Sequence, residues 1–207
     1  MKKYLLLCFI TLFISSNAQA SFVQGVTGAD MAGIQVEVEF ADGSSDAGIW
    51  FAMSPTAGGY INGSWGIRLD GDSHGVLDNA NNILSGMFVL VNNGNIDIMS
   101  LTLRALSAGF VFDTHTDDIM LNGSGTGMGM YSPNPTALAS YTEFYMDELY
   151  GTMMISSTRA LVEAGSRVAF VTDLDAIGVT QEVPAPAGMV LSLMMLGAMR
   201  LHRGAKQ

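Results

Sequence analysis

Ile34-Gln35-Val36-Glu37-Val38-Glu39-Phe40 alternates apolar and polar side chains without a break, and this stretch decides the fold. Successive side chains of a strand point to opposite faces, so Ile34, Val36, Val38 and Phe40 share one face and Gln35, Glu37 and Glu39 the other. The strand therefore has one dry and one wet side. Asp42-Gly43-Ser44-Ser45 follows as a turn, and Ile49 to Ala52 reads as the next strand. Further strands are expected at Trp65 to Leu69, Gly86 to Val91, Ile96 to Leu103, Gly109 to Phe112, Tyr141 to Met146, Gly151 to Ser156 and Arg167 to Asp173. Asp70-Gly71-Asp72, Asn92-Asn93-Gly94, Asn122-Gly123-Ser124-Gly125 and Pro133-Asn134-Pro135 supply turn chemistry between them. Short strands with no long helix predict an all-β fold, an antiparallel β-sandwich of jelly-roll-like kind. In the segment Ile96 to Leu103 the apolar phase slips between Ile98 and Leu101, which predicts a bulge. Thr158 to Ala164 is expected to form one helical turn.

Upstream, Met1 to Ala20 has the parts of a secretory signal peptide: Lys2 and Lys3, an apolar centre from Tyr4 to Ile14, and Ala18-Gln19-Ala20 as the cleavage site. Cleavage between Ala20 and Ser21 would remove Cys8, the one cysteine of the chain. The exported segment then holds neither a disulfide nor a thiolate, and must cohere by its core. All 19 acidic residues lie between Ser21 and Val183, against Arg68, Arg104, Arg159 and Arg167, a formal charge of 4 − 19 = −15. Such a field repels phosphate backbones and argues against a nucleic-acid partner, leaving calcium, cationic polymers or neutral glycans.

Asp173 and Asp175 alternate at a strand end and so point to one side, where two carboxylates can grip one cation. Asp113 ends another strand, and Asp147 with Glu148 follow a third; together they can complete the six to eight oxygens that calcium takes. Solvated edge carboxylates that discourage aggregation are the other reading. Asp70-Gly71-Asp72-Ser73-His74-Gly75 resembles the start of a calcium loop, but His74 stands fifth and Asn81 twelfth, where a bidentate Glu is wanted. A tight turn is the simpler expectation there. Catalysis has thinner support. His115 lies in the carboxylate-rich Asp113-Thr114-His115-Thr116-Asp117-Asp118, yet neither Gly-x-Ser-x-Gly nor His-Glu-x-x-His occurs, and the chain is not expected to be an enzyme. Trp50, Trp65, Tyr60, Tyr131, Tyr141 and Tyr145 can stack on sugar rings if exposed, or fill the core if not.

The C-terminal stretch has three parts in a fixed order. Val183-Pro184-Ala185-Pro186 breaks regular structure and is expected to be an accessible spacer. Val183 to Met199 carries no charge over 17 residues, short for a bilayer core of ~30 Å at ~1.5 Å per residue. A buried core helix competes with a membrane helix at about residues 185–201. Arg200, Arg203 and Lys206 close the chain as a basic tail, as expected on the cytoplasmic side of a spanning helix.

That order resembles the PEP-CTERM sorting signal recognised by exosortases, matched at Val183, Pro184, Pro186, the apolar run with Gly197, Arg200 and Arg203. Ala185 stands where the family most often has Glu. The match spans residues 182–207, after a signal peptide at 1–20 and a sandwich domain at 21–181. A second, looser resemblance rests on Phe40-Ala41-Asp42-Gly43, Trp65-Gly66-Ile67-Arg68-Leu69, Phe110-Val111-Phe112-Asp113, Asp147-Glu148-Leu149-Tyr150-Gly151-Thr152 and Phe170-Val171-Thr172-Asp173-Leu174-Asp175. Those short motifs look like the β-rich ectodomain common among such proteins. The resemblance implies export through the inner membrane as an anchored precursor, processing by an exosortase, and delivery to the cell surface or an exopolysaccharide matrix. A non-catalytic structural or adhesive role follows as the expectation; a calcium-dependent carbohydrate-binding module is second and a glycan-processing enzyme third.

Overall fold

The computed structural model describes residues 26–114, 127–146 and 148–177. The chain divides into two units, residues 21–179 and residues 1–20 with 180–207. The second unit holds the expected signal peptide, with Ala20 at its cleavage site, and the expected sorting signal, with Val183, Pro184, Ala185, Pro186, Arg200 and Arg203. All of these, together with Ser21, lie outside the described residues. Among the described residues no helix is long and apolar enough to cross a membrane.

The fold is all-β and antiparallel. In the first sheet Gln35–Phe40 (β1) pairs with Ser45–Ile49 (β2) on one side and Ile98–Arg104 (β9) on the other. β9 runs beside Leu149–Ser157 (β12), whose far side takes the ten-residue strand Ala137–Met146 (β11). Beyond a 3-10 turn at Leu106–Ala108, Phe110–Asp113 (β10) continues the line of β9 along β12 and pairs with Asp173–Ala176 (β14). The second sheet runs Arg167–Phe170 (β13), Phe88–Asn92 (β8), Trp65–Asp70 (β5), Ala57–Ile61 (β4) and Phe51–Ala52 (β3). Val76–Leu77 (β6) and Ile83–Ser85 (β7) make a small hairpin.

One core joins the two sheets as a sandwich. Val36, Val38, Leu101, Leu103, Met153 and Ile155 enter it from the first, and Trp65, Ile67, Leu69, Phe88, Leu90 and Phe170 from the second. The wet face of β1 is used as its alternation requires. Arg104 Nη2 donates to Glu37 across the strand pair at 3.1 Å, and Ser100 Oγ to Glu39 at 3.5 Å.

The predicted bulge is present. Glu39 faces Ser100 while Phe40 faces Ile98, so Met99 is the extra residue, and both Ile98 and Leu101 are buried. Two expected strands are split. Ile49 to Ala52 breaks at Trp50, where the chain passes from one sheet to the other and the indole is buried. Arg167 to Asp173 breaks at Val171 and Thr172, so that β13 edges one sheet and β14 the other. β4 was not expected from its sequence, because Ala57-Gly58-Gly59-Tyr60-Ile61 lacks an alternating pattern. Its glycines are required by space: a Cβ at Gly58 would run into the Gly28 carbonyl and Trp50 Nε1. No helical turn forms over Thr158 to Ala164, because Leu161 and Val162 bury their side chains and both amides donate to the Ile98 carbonyl.

Candidate metal centre

β10 and β14 are short, and their alternation sorts two kinds of residue. Phe110, Phe112 and Leu174 belong to the core, so the residues between them, Val111, Asp113, Asp173 and Asp175, turn to the opposite face of the strand pair. Register then brings the carboxylates together. Asp113 is directly across from Asp173, and Asp175, two residues on, stands across from Val111. One carboxylate oxygen from each of the three lies within 4.8 Å of the other two. All three residues are buried, at 2–4 % exposure. The sequence-predicted trio is therefore one cluster, and it does not consist of solvated edge groups.

The surroundings come from distant parts of the chain. His74 Nδ1 lies 3.4 Å from Asp173 Oδ1 across 99 residues of sequence. Ser73 Oγ donates to the Leu174 carbonyl, and the Asp173 amide to the Met128 carbonyl at 3.1 Å. Glu148 reaches the neighbourhood through its backbone: its carbonyl accepts from Thr114 N at 3.3 Å and Thr114 Oγ1 at 3.0 Å. Asp147 and His115 lie outside the described residues. Asp70 to Gly75 does not close the tight turn expected: the Gly28 amide donates to the Gly71 carbonyl and the Ser73 amide to the Val26 carbonyl, so the chain runs on beside Val26 to Gly28. Asp72 Oδ1 accepts from the His74 amide at 2.9 Å, and Thr27 bridges to Asp72. Of that stretch, His74 is the residue that reaches the cluster. Sequence spacing held no signal for that meeting.

The chemistry of the donor set is hard and anionic. Two carboxylates at 4.8 Å repel by about 3 kcal/mol at an effective dielectric near 20, and burial removes the water that would relieve it. A divalent cation, retained protons or the hydrogen-bond and charged partners around the three can offset that repulsion. One oxygen from each carboxylate would supply three of calcium's six to eight ligands. The trio fits a hard cation. At 2–4 % exposure the three carboxylates are enclosed by the residues around them.

Of the aromatic residues offered for sugar stacking, Trp50 and Trp65 are buried in the core. Trp65 Nε1 donates to Asp46 Oδ2 at 2.8 Å, and Trp50 Nε1 to the Gly28 carbonyl at 2.7 Å. Tyr60, Tyr131, Tyr141 and Tyr145 are half-buried. Phe144, which the sequence reading passed over, is the exposed ring of its strand and stands 6.0 Å from Tyr150 edge to face. Neither a family model nor a curated protein nor a solved structure matches this chain.

Proposed function

We propose that this protein is an exported component of the cell surface or exopolysaccharide matrix, non-catalytic, with a structural or adhesive role, and that calcium braces its sandwich at Asp113, Asp173 and Asp175. The reading takes the strand wiring as jelly-roll-like. Delivery rests on the signal peptide and on the PEP-CTERM-like order of residues 183–206, with an exosortase as the processing partner and the inner membrane as a transient anchor. The observation that carries the reading is the burial of the converging carboxylates. A cation held there joins β10 to β14. In a segment without cysteine, a ligand that binds only the folded state supplies stability that a disulfide would otherwise give.

The test is the thermal midpoint of residues 21–179 with calcium, with magnesium and with chelator. Calcium at about 100 times its dissociation constant adds about 2.7 kcal/mol, or roughly 5–10 °C for a domain of this size. A midpoint indifferent to calcium and chelator ends the brace. Sorting is tested separately, by following the full chain in cells with and without an exosortase. A precursor that keeps residues 187–207 in the presence of the enzyme contradicts the delivery route. Calcium-dependent carbohydrate binding is the second reading, supported by the exposed Phe144 beside Tyr150, and retention on purified polysaccharide with and without calcium decides it.

A further inference from the structure

The acidity of the exported segment is spread unevenly over the sandwich. The strands of the first sheet hold seven carboxylates against Arg104, 1 − 7 = −6. Those of the second hold Asp70 against Arg68 and Arg167, 2 − 1 = +1. Alternation puts both arginines on the outer face of that sheet. Ile67 and Leu69 enter the core, so Arg68 between them points away from it; Val168 and Phe170 pack inward, so Arg167 and Ala169 point outward. Register extends the face across all five strands. Val89 stands between Arg68 and Ala169, and Val91 between Gly66 and Arg167. On the far side Arg68 pairs with Gly59 and Gly66 with Ile61, and Gly59 in turn with Phe51.

This face is an apolar floor with two forked donors on it. Val89, Val91 and Ala169 are half-buried, Gly59 and Gly66 add no side chain, and Ile61 and Phe51 are 54 % and 46 % exposed. Asp70 lies 3.5 Å from Arg68 with both side chains in water, a weak pair that is readily exchanged. Arg167 is exposed and makes no ion pair among the described residues. Its charge is therefore open to an anion from outside. Two strand spacings and a two-residue offset set the arginines about 12 Å apart. Duplex DNA carries a charge every ~1.7 Å of its axis, too dense a row for two donors so far apart. A polymer of sugar rings with well-spaced carboxylates matches them. Its C–H faces can lie on the valines and on the Phe51 ring, and each carboxylate can take the two parallel hydrogen bonds of an arginine fork. The first sheet lies about 10 Å behind, beyond the ~8 Å screening length of physiological salt, so its carboxylates repel such a chain little here. We propose that the outer face of the second sheet binds an acidic polysaccharide, with Arg68 and Arg167 on its carboxylates and the apolar floor beneath its rings. The proposal names a partner for the adhesive reading and rests on that reading, while the calcium brace and the delivery route stand apart from it.

The experiment uses residues 21–179, a unit that closes its own core, in titration calorimetry against hyaluronate, which carries one carboxylate on every second sugar. Chelator is present throughout, so calcium plays no part. The wild type is expected to bind. Arg68→Gln and Arg167→Gln, each alone, should weaken binding tenfold or more and leave the thermal midpoint near that of the wild type, because both side chains are exposed. Arg159→Gln, exposed in the loop after β12 and outside this sheet, should bind as the wild type does. Hyaluronate whose carboxylates have been reduced to alcohols should bind at least tenfold more weakly. A wild type that does not bind overturns the proposal, as does equal binding of the reduced polymer or an Arg159→Gln loss as large as that of Arg167→Gln. Binding that survives both substitutions on the sheet keeps the adhesive reading and removes this face from it. Duplex DNA that competes as well as hyaluronate overturns the polysaccharide assignment in favour of a nucleic acid. A wild-type dimer that Arg167→Gln dissociates overturns it in favour of a second copy of the chain.

Discussion

At Trp50 the indole N–H donates to the Gly28 carbonyl, and Gly58 lies against the same ring edge and the same carbonyl. Gly58→Ala has nowhere to place its methyl, and overpacking of this kind costs about 1–3 kcal/mol; urea denaturation of residues 21–179 measures it. Asp113→Asn tests the trio at the same scale. It removes one of three crowded charges, so the midpoint in chelator should rise while the calcium-induced shift disappears. A variant that is less stable in chelator and still shifts with calcium would place the ion elsewhere. Tyr141 gives a pH signature. Burial pushes its phenol above the ordinary value of 10.0, against the hydrogen bond its oxygen accepts from the Met130 amide at 2.6 Å. A raised folded pKa keeps the proton on the native state after the unfolded chain has lost it, so this stabilisation is complete below pH 10 and falls as pH climbs beyond. Tyr141→Phe should flatten that alkaline decline, read as midpoint against pH, and cost about 1 kcal/mol at neutral pH for the lost hydrogen bond.

Among the elements, β9 shows why the bulge matters. Ile98 and Leu101 are three apart and both buried, which a regular strand cannot do because odd separations face opposite ways. Deleting Met99 sets Ile98 and Leu101 two apart, on one face of a regular strand, so both should stay buried and the variant should keep most of its stability; the same denaturation measurement reads it. This was legible beforehand, since the apolar phase slip in Ile96 to Leu103 has no other simple explanation. β1, β5, β8 and β10 were legible for the same reason, a run of alternating or continuous apolar residues bounded by turn residues. β4 was not, because its glycines are selected by what lies against them, namely Gly28 and the Trp50 ring. The break of Arg167 to Asp173 was also hidden. A crossing between sheets keeps the chain extended on both sides of Val171 and Thr172, and local pattern records extension, not which sheet receives it. The carboxylate trio was half legible: Asp173 and Asp175 share a face by spacing alone, and a strand end at Asp113 made it a candidate partner. The contribution of His74, 99 residues from Asp173, depends on packing that no local pattern encodes.

At the scale of the whole molecule, charge sets the background. With 19 acidic residues and four arginines between Ser21 and Val183, the folded segment repels itself. Sodium chloride at 0.5 M shortens the screening length to about 4 Å and should raise the midpoint of the wild type and of Asp113→Asn alike. Calcium at millimolar concentration should raise only the former, which separates general screening from a site. The sequence showed this charge directly, and it showed the two-sided β pattern from which a sandwich follows. It did not show the order of strands, because β1 finds β9 and β10 finds β14 across some sixty residues each. That wiring bears on timing. Residues 167–176 supply an edge strand to each sheet, so neither is complete while the chain is still emerging from a ribosome or a translocation channel. A polypeptide whose last strands close both halves stays threadable until nearly all of it has passed, and then shuts in one cooperative step.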